Sequence, residues 1–528
     1  MKLFRRLANS RILRWQTVSE SALILTVITF LSKIIGYLRT VLVAYYFGTS
    51  AQVDAFVVAM LIPSLVFGII AGGLQTVIIP VYTEEKQKNL QKAKVFVNQI
   101  FLINVILLLL LSFIMFLFPA AFVKIVAYGF KGTRLSQAAY FMRFLIIFGF
   151  FNVLAGLFIG LLQAEKQFLF PALTLLVGNS LIPLSLFLFA KKIGINSWTI
   201  GEISFGTFIF SVMFLFLYYK KQFFQGFELL HIDFQKVWNF FVLLLPIILT
   251  SGVTALYKIV DKTVASSLPV GSVSALNFAQ LVYQIPFGMF IVPVVYAVYP
   301  SFASFASKNM DSAYEQLLEK TFFVLMFITI PILFLFVVYA KPLVRLLYQH
   351  GAFTSTSTSL TAFAVSMYSL GLFTVSANFL FQRVFFSFKD TKTPLYITIF
   401  VVIFNAVGDV LLSRIWGVGG IGFATALATI VGFVTYLWML KKKRFLLISY
   451  NKFLKEGFKI IISSIVMLIV GIPLIYYVNA SASFLTLVIR FSLVIILLLS
   501  LYSLSAYLLK SVSLIIFIRY ARIFMKKL

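Results

Sequence analysis

The stretch FNAVGDVLL, residues 404–412, lies inside a long apolar run that extends from residue 394 to residue 413. It places a carboxamide, Asn405, and a carboxylate, Asp409, four residues apart, so a helix brings both side chains to one face. A carboxylate at the centre of a membrane-spanning helix costs about 2.5–3.5 kcal/mol on insertion scales, and it needs a cation, a proton or a base as its partner. The stretch therefore predicts a membrane-spanning helix organised around a buried charge.

The composition of the whole chain predicts a membrane protein with many spans. Its 528 residues are 62% hydrophobic and 11% charged, and the mean hydropathy of +1.05 is far above that of soluble domains. Lys and Arg number 44 against 15 acids. These bases cluster between the apolar runs, which indicates topology signals and contact with anionic lipids rather than nucleic acid. The chain has no cysteine, which excludes disulfides and thiolate metal sites.

Fourteen apolar runs are long enough to cross a bilayer, for which about 20 residues are needed. We therefore expect an all-α polytopic protein with about 14 transmembrane helices, arranged as two six-helix lobes and a C-terminal helix pair, a layout typical of transporters built from repeats. The predicted cores are residues 20–45, 53–82, 96–119, 136–163, 168–190, 198–219, 236–266, 273–303, 321–340, 357–387, 394–413, 418–440, 457–478 and 484–511. The predicted domains are a basic amphipathic lead-in (1–19), an N-terminal lobe (20–222), a C-terminal lobe (223–445) and the pair of helices 13 and 14 with a basic tail (446–528).

The connections between the predicted spans differ in their content of Lys and Arg. The connection after the second span holds four lysines between residues 86 and 94, and the one after span 12 reads KKKR at residues 441–444. The connections GTSAQ (48–52) and VNASAS (478–483) contain no base. Because basic connections stay in the cytoplasm, we expect a multi-pass protein of the cytoplasmic membrane with both termini inside.

Five stretches, in this order, carry a resemblance to a known family. They are SKIIGYLRTVLVAYYFG (32–48), VDAFVVAMLIPSLVFGIIAGGLQTVIIPV (53–81), VYPSFASFAS (298–307), RLLYQHGAF (345–353) and FSFKDTKTP (386–394). Together they resemble the lipid II flippase family (MurJ, also called MviN) of the multidrug/oligosaccharidyl-lipid/polysaccharide (MOP) exporter superfamily. The resemblance covers roughly residues 20–445. The extra final helix pair fits that family's fourteen helices better than the usual twelve of its relatives.

The resemblance implies a transporter, not an enzyme, that acts in peptidoglycan biosynthesis. Such proteins carry lipid II, an undecaprenyl-pyrophosphate-linked precursor, from the inner to the outer leaflet of the bacterial cytoplasmic membrane. They do so by alternating access around a central cavity between the lobes, with cation or potential coupling, and helices 13 and 14 form a groove for the lipid tail. We expect a lipid-linked glycan substrate, contact with anionic lipids, a monomeric protein, cell-wall synthesis proteins as partners, and no nucleic acid.

The same resemblance implies a sodium site in the second lobe, where sodium acts as a coupling or structural ion and no other cofactor is expected. The family's pattern maps onto Asp261, Asn405, Asp409, the Ile421 carbonyl and Thr425. Hard oxygen donors of this kind suit a small hard cation. The alternative is that Asp261 pairs with Lys258 and that Asp409 hydrogen-bonds to a neighbouring helix.

The family's cavity is basic because its ligand carries a pyrophosphate, which cations must neutralise in place of water. Lys33, Arg39 and Asp54 match three of the family's positions. The family's arginine in span 2 corresponds to Phe67 here, and its Asp-Arg pair in span 8 falls near residues 280 and 281. We expect three bases on other helices to restore the charge, with snorkelling or helix pairing as the alternative for each. These bases are Lys258, Lys262 and Arg383.

Other functions are weighed against the flippase. An exporter of another lipid-linked oligosaccharide, or a cation-coupled small-molecule antiporter, would share the fold. A cationic drug, however, favours acids in the cavity, whereas span 1 is basic here. A membrane enzyme would need paired acids or a histidine in a large aqueous loop, but His231 and His350 are isolated. No phosphate-binding glycine loop of the Walker type occurs, which excludes a self-contained ATP-driven pump.

Overall fold

The structure, a computed structural model of the chain, describes residues 18–220, 234–308, 310–443, 450–480 and 483–525. Within these residues every regular element is a helix, which confirms the predicted all-α class. The helices up to residue 271 are α1 (Val18–Phe47), α2 (Ala51–Lys88), α3 (Leu90–Leu117), α4 (Pro119–Val126), α5 (Gly132–Ala164), α6 (Leu169–Ile193), α7 (Asn196–Tyr219) and α8 (Phe234–Ala265). Those that follow are α9 (Ser272–Pro286), a π-helix (Phe287–Ile291), α10 (Val292–Ser307), α11 (Asp311–Val338), α12 (Ala340–Tyr348), α13 (Ser355–Ser369), α14 (Leu372–Ser387), α15 (Lys392–Lys442), α16 (Tyr450–Asn479), α17 (Phe484–Leu508) and α18 (Val512–Met525).

Eleven helical segments of the described part are long and apolar enough to cross a membrane. The count becomes twelve when α13 and α14, which meet at a 46° bend, are taken as one span. Two of the predicted spans lie within one of these segments, because the helix α15 joins them across a kink at Gly417. The predicted span 236–266 lies on α8 (Phe234–Ala265), whose apolar part Phe234–Ile248 is described with its side chains.

The chain divides into two compact units, Met1–Gly271 and Ser272–Leu528. The first unit includes α8, which the lobe prediction assigns to the C-terminal lobe. This helix packs against α2, where a Cβ added to Gly73 would lie 2.7 Å from the Leu244 side chain. It also packs against α3, where the rings of Phe96 and Phe240 meet edge to face. The lobe boundaries at residues 222 and 445 stay a prediction.

The helices of the two halves repeat with a constant offset of 223 residues. When 223 is added to the residue numbers of α5, its range becomes 355–387. The same addition turns α6 into 392–416 and α7 into 419–442. The first of these ranges is α13 with α14, and the other two are the arms of α15. Positive backbone φ angles recur at the same offset, in the pairs Gly48 and Gly271, Lys166 and Lys389, and Gly194 and Gly417. The same offset along the chain indicates an internal duplication, a common origin of transporter folds.

The helix α15 is a hairpin, with an N-arm (392–416) and a C-arm (418–442). Gly417 at its tip has φ 54° and ψ −129°, a conformation that is open almost only to glycine. A Cβ added to Gly420 would lie 2.1 Å from the Leu412 carbonyl oxygen, and one added to Gly408 would lie 3.1 Å from Ala424 Cβ. Residue numbers thus fall along one arm as they rise along the other, so the arms are antiparallel. Small residues let their backbones approach closely.

Candidate functional site

Three of the predicted cation ligands meet between the arms of the hairpin. Asn405 Nδ2 donates to Asp409 Oδ1 at 3.0 Å and to Thr425 Oγ1 at 3.3 Å. These three side chains and that of Ile421 are buried. The antiparallel register that sets Asn405 beside Thr425 also brings Asp409, one turn along, level with Ile421.

The oxygens of this cluster fit an alkali cation. Asn405 Oδ1 is buried and accepts no hydrogen bond within the described residues. A buried acceptor without a donor costs about 1–3 kcal/mol, and a cation would satisfy it. A carboxylate, an amide oxygen, a hydroxyl and a backbone carbonyl are the hard donors that such an ion prefers. The described part of the chain has no cluster of three or more His, Cys, Asp or Glu side chains that could hold a metal, and the sodium ion itself stays a prediction.

Asp261, the remaining predicted ligand, lies near the C-terminal end of α8. Its side chain is buried in the first compact unit. The ion pair of Asp261 with Lys258, considered above as an alternative, involves a side chain outside the described residues. The choice between these two roles of Asp261 therefore stays open.

A second buried polar cluster joins α1 to α7. Arg39 Nη1 donates to Glu202 Oε1 at 3.3 Å, and Trp198 Nε1 donates to the same oxygen at 3.0 Å. The Glu202 side chain is 3% exposed, whereas that of Arg39 is 30% exposed. The Trp198 ring in turn stacks on Phe56, with ring centroids 3.9 Å apart. Sequence analysis singled out Arg39 but not Glu202, and therefore missed this contact.

Arg383 lies among aromatic rings of the second unit. Its guanidinium carbon is 4.8 Å from the ring centroid of Phe379, 5.2 Å from that of Tyr296 and 5.4 Å from that of Phe386. Its Nη2 donates to the Tyr296 hydroxyl at 3.1 Å. Ring faces stabilise a cation through their quadrupole and not by an opposite charge, so none of these contacts brings an acid to the guanidinium.

The other predicted substrate residues occupy different environments. Lys33 on α1 is exposed, and Lys262 on α8 is half-buried. Asp54 is fully buried, and its Oδ2 accepts the backbone N–H of Gly271 at 2.7 Å. This bond fastens the start of α2 to the segment that follows α8. Lys258 is not among the side chains that the structure describes.

The two departures from the family pattern lie in packed surroundings. Phe67 is fully buried, and a Cβ added to Gly149 would lie 2.1 Å from its ring, so the phenyl group fills the groove that Gly149 leaves on α5. Gln280 Nε2 donates to the Tyr368 hydroxyl at 3.0 Å. Neither departure supplies a positive charge, because a phenyl ring stands in place of the family's arginine in span 2, and the uncharged Gln280 and Leu281 lie near the place of its Asp-Arg pair.

The profile of the family described as lipid II flippase MurJ matches residues 43–499. This range holds the hairpin, most of both repeats and most of α16 and α17. The chain belongs to the MurJ lipid II flippase family. Membership in the MurJ family also confirms that the protein is a transporter and not an enzyme.

Curated relatives carry the same family name. The chain is 26% identical over 429 residues to a probable lipid II flippase MurJ of Borreliella burgdorferi. This alignment covers 80% of this chain and 83% of the relative. It is 28% identical over 437 residues to the lipid II flippase MurJ of Thermosipho africanus. This alignment covers 82% of this chain and 88% of the relative. These matches extend over most of the MurJ chain in each case.

Solved structures agree with the MurJ fold. A lipid II flippase MurJ in an inward closed conformation matches with a TM-score of 0.75 and 25% identity, over 92% of this chain and 99% of that one. An inward-facing MATE multidrug transporter of the MOP superfamily matches with a TM-score of 0.62 and 15% identity. The match covers 77% of this chain and 93% of the transporter. The second match supports the superfamily fold alone.

Proposed function

We propose that this chain moves lipid II from the inner to the outer leaflet of the bacterial cytoplasmic membrane by alternating access. The observation that carries the proposal is the match of the MurJ profile over residues 43–499. It includes most of both repeats together with α16 and α17, so it goes beyond the twelve-helix exporters of the superfamily. Membership of a lipid II flippase family also makes peptidoglycan synthesis the process that the transport serves.

The chemical requirement of this substrate is a set of cations for its pyrophosphate. Arg39 and Arg383 suit the role because a guanidinium offers five N–H donors in a fixed plane and pairs with two phosphate oxygens at once. Arg39 is 30% exposed and Arg383 is held among rings rather than by an acid, which supports both as ligands. Lys33, Lys258, Lys262 and Asp54 complete the proposed set of substrate-contacting residues.

We infer in addition that a sodium ion couples to transport or stabilises one of its states. Support comes from the buried oxygens of Asn405, Asp409 and Thr425, above all from the Asn405 amide oxygen that lacks a donor in the described residues. The Ile421 carbonyl and Asp261 are the remaining proposed ligands. Coupling requires that this site bind sodium more tightly in one conformation of the protein than in another.

The topology is likewise a proposal. The content of Lys and Arg in the connections supports both termini in the cytoplasm, and we propose a monomer.

The helices α16 and α17 pack against each other, and a Cβ added to Gly471 would lie 3.2 Å from Leu498. Their outer faces carry exposed apolar side chains such as Tyr476 and Ile496, which supports a role in holding the lipid tail.

The proposed function is tested by replacement in living cells. The gene is expressed in bacteria whose own lipid II flippase is under a repressible promoter, and growth is followed after repression. We expect growth and normal cell shape to be maintained, while an empty vector leads to lysis. Lysis despite verified membrane insertion would contradict the proposal. It would instead favour transport of another lipid-linked glycan, the function that the uncharged Phe67 and Gln280 would best suit.

A further inference from the structure

The buried carboxylate of Glu202 has no place in the function described so far. It is the seventh residue of α7, and its side chain is 3% exposed. Its Oε1 accepts two hydrogen bonds from described residues, one from Arg39 and one from the Trp198 indole. A buried charge needs a partner of opposite sign, and here the partner belongs to a residue proposed to bind substrate.

The internal repeat shows what occupies the same place in the second half. Adding 223 to the residue number brings Glu202 to Thr425, and it brings Arg39 to Lys262. Thr425 belongs to the cluster proposed to hold sodium. The local structure also repeats, because Thr40 and Thr263, one residue further along each helix, both donate to the carbonyl four residues earlier. The first half therefore places a buried carboxylate, that of Glu202, where the second half places the buried hydroxyl of Thr425.

We propose that Glu202 is a positioning residue that holds Arg39 in the orientation that receives the substrate pyrophosphate. Glu202 engages Nη1 of Arg39 and leaves further N–H donors of the guanidinium for a phosphate. Trp198 fixes the carboxylate by its N–H and is itself fixed by stacking on Phe56. The inference rests on the proposed function, since it assigns a role within substrate binding.

A positioning role differs from a merely structural ion pair in one measurable way. If Glu202 acts on the ligand only through Arg39, then removing its charge must have no further effect on binding once Arg39 has been replaced. A residue that supports the fold independently would instead add its own loss in either background. Coupling of this kind is what a double-mutant cycle measures.

The test uses the purified full-length protein and fluorescent lipid II in detergent micelles. We expect Glu202→Gln to weaken binding about tenfold, Glu202→Asp to recover part of that loss, and Arg39→Gln to match or exceed it. The double variant Arg39→Gln/Glu202→Gln should bind as Arg39→Gln does. Glu165→Gln is the matched control, because Glu165 also pairs with a base in this half, Lys86 at 2.6 Å, and it should leave the affinity unchanged.

Each outcome decides the inference. Wild-type affinity in a folded Glu202→Gln variant, or losses that simply add in the double variant, would overturn it. If Glu202→Gln does not fold, Trp198→Phe replaces it, since this removes only the indole donor and should weaken binding two- to fivefold, whereas unchanged binding would overturn the inference. Failure of the wild-type protein to bind lipid II would instead overturn the proposed function, so the two failures are distinguishable.

Discussion

Asn405 donates through one amide nitrogen to both Asp409 and Thr425, and its amide oxygen is left without a donor in the described part of the chain. A hydrogen bond from an amide lowers the cost of a buried carboxylate but does not neutralise its charge. A cation would both lower this cost and neutralise the charge, because it would accept electron density from the carboxylate and from the amide oxygen. A sodium ion bound here would give the spacing of these residues a chemical reason that apolar packing does not supply.

Sodium should therefore stabilise the purified protein more than potassium does. The expected gain is RT ln(1 + [Na⁺]/Kd), about 2.7 kcal/mol at a hundredfold excess over Kd. Asp409→Asn keeps the side-chain shape and removes the charge, so it should abolish the sodium-specific rise in melting temperature and leave the potassium curve nearly unchanged. Equal melting curves of the unmodified protein in the two salts, from millimolar to molar concentration, would refute the sodium site.

Arg39→Ala should reduce flipping at least tenfold without preventing membrane insertion. A charged hydrogen bond to a desolvated phosphate contributes about 1.5–3 kcal/mol, which corresponds to a factor of ten or more. Arg39→Lys should keep part of the activity, because it retains the charge and loses the fork geometry. The measurement is growth of flippase-depleted cells at matched expression. Full growth with the alanine variant would exclude Arg39 from the substrate site.

Sequence reasoning reached some of these residues and not others. Asn405 and Asp409 stood out because polar side chains in a long apolar run are rare, and Arg39 because span 1 matched a family pattern. Glu202 was missed because its partner is 163 residues away along the chain, and no local spacing reveals such a contact. The signal that could have found it is the repeat, since Arg39-Thr40-Val41 recurs as Lys262-Thr263-Val264.

The hairpin is the element that sets the geometry of the candidate cation site. Its two arms approach because glycines face side chains at several levels, as where a Cβ added to Gly432 would lie 3.0 Å from Val401. The first repeat shows the same contact with the glycine on the opposite helix, between Gly178 and Ile209, also at 3.0 Å. A glycine on either side thus permits the same separation, which explains how the duplicated pairs keep one geometry although their sequences have diverged.

Gly417→Ala should destabilise the protein by about 1–3 kcal/mol, the cost of a side chain in a backbone conformation nearly restricted to glycine. No atom would lie within 4 Å of the added Cβ, so the cost comes from the backbone and not from a clash. Gly72→Ala is the control. Its added Cβ would also meet nothing within 4 Å, but Gly72 lies inside the regular helix α2 and has no unusual backbone conformation. Thermal unfolding should show a loss for the first variant and none for the second. Equal stability of the two variants would contradict the account of the turn.

Asp390 closes the open end of the hairpin and should make its stability depend on pH. Its carboxylate accepts from the Thr393 backbone N–H at 3.0 Å and from Lys443 at the end of the C-arm. Partial burial acts to raise the pKa of Asp390, but the hydrogen bonds from Lys443 and Thr393 outweigh it and hold the pKa below its usual range. A lowered pKa means that this stabilisation is complete above the unfolded value of about 3.9 and is lost as the pH falls through the folded one.

Asp390→Asn should therefore lower the melting temperature at pH 7, and this difference should shrink as the pH falls below about 3.9, because the native carboxylate is protonated as the pH falls through its lowered pKa. The comparison requires melting curves of both proteins over the range from pH 7 to pH 3. A constant difference between them at every pH would show that the charge of Asp390 contributes nothing to the hairpin.

At the scale of the whole molecule, hydropathy and chain length were sufficient to predict the all-α class, since only helices satisfy the backbone of many separate spans in lipid. The number of separate helices was harder to predict. A bend between α13 and α14 and a glycine turn inside α15 change the count without changing hydropathy. The duplication was also missed by sequence reasoning. It shows clearly in helix ends and φ angles, whereas in the sequence it shows in short stretches such as residues 39–41 and 262–264.

The most direct test of lipid II transport is a measurement in proteoliposomes. The purified chain is reconstituted into vesicles loaded with fluorescent lipid II, and the fraction of label that an impermeant quencher can reach is followed over time. Transport predicts that this fraction rises in vesicles with protein faster than in protein-free vesicles, and that Arg39→Ala slows the rise at least tenfold. A rate for the unmodified protein no higher than that of protein-free vesicles, with correct insertion verified, would contradict its identification as a lipid II flippase.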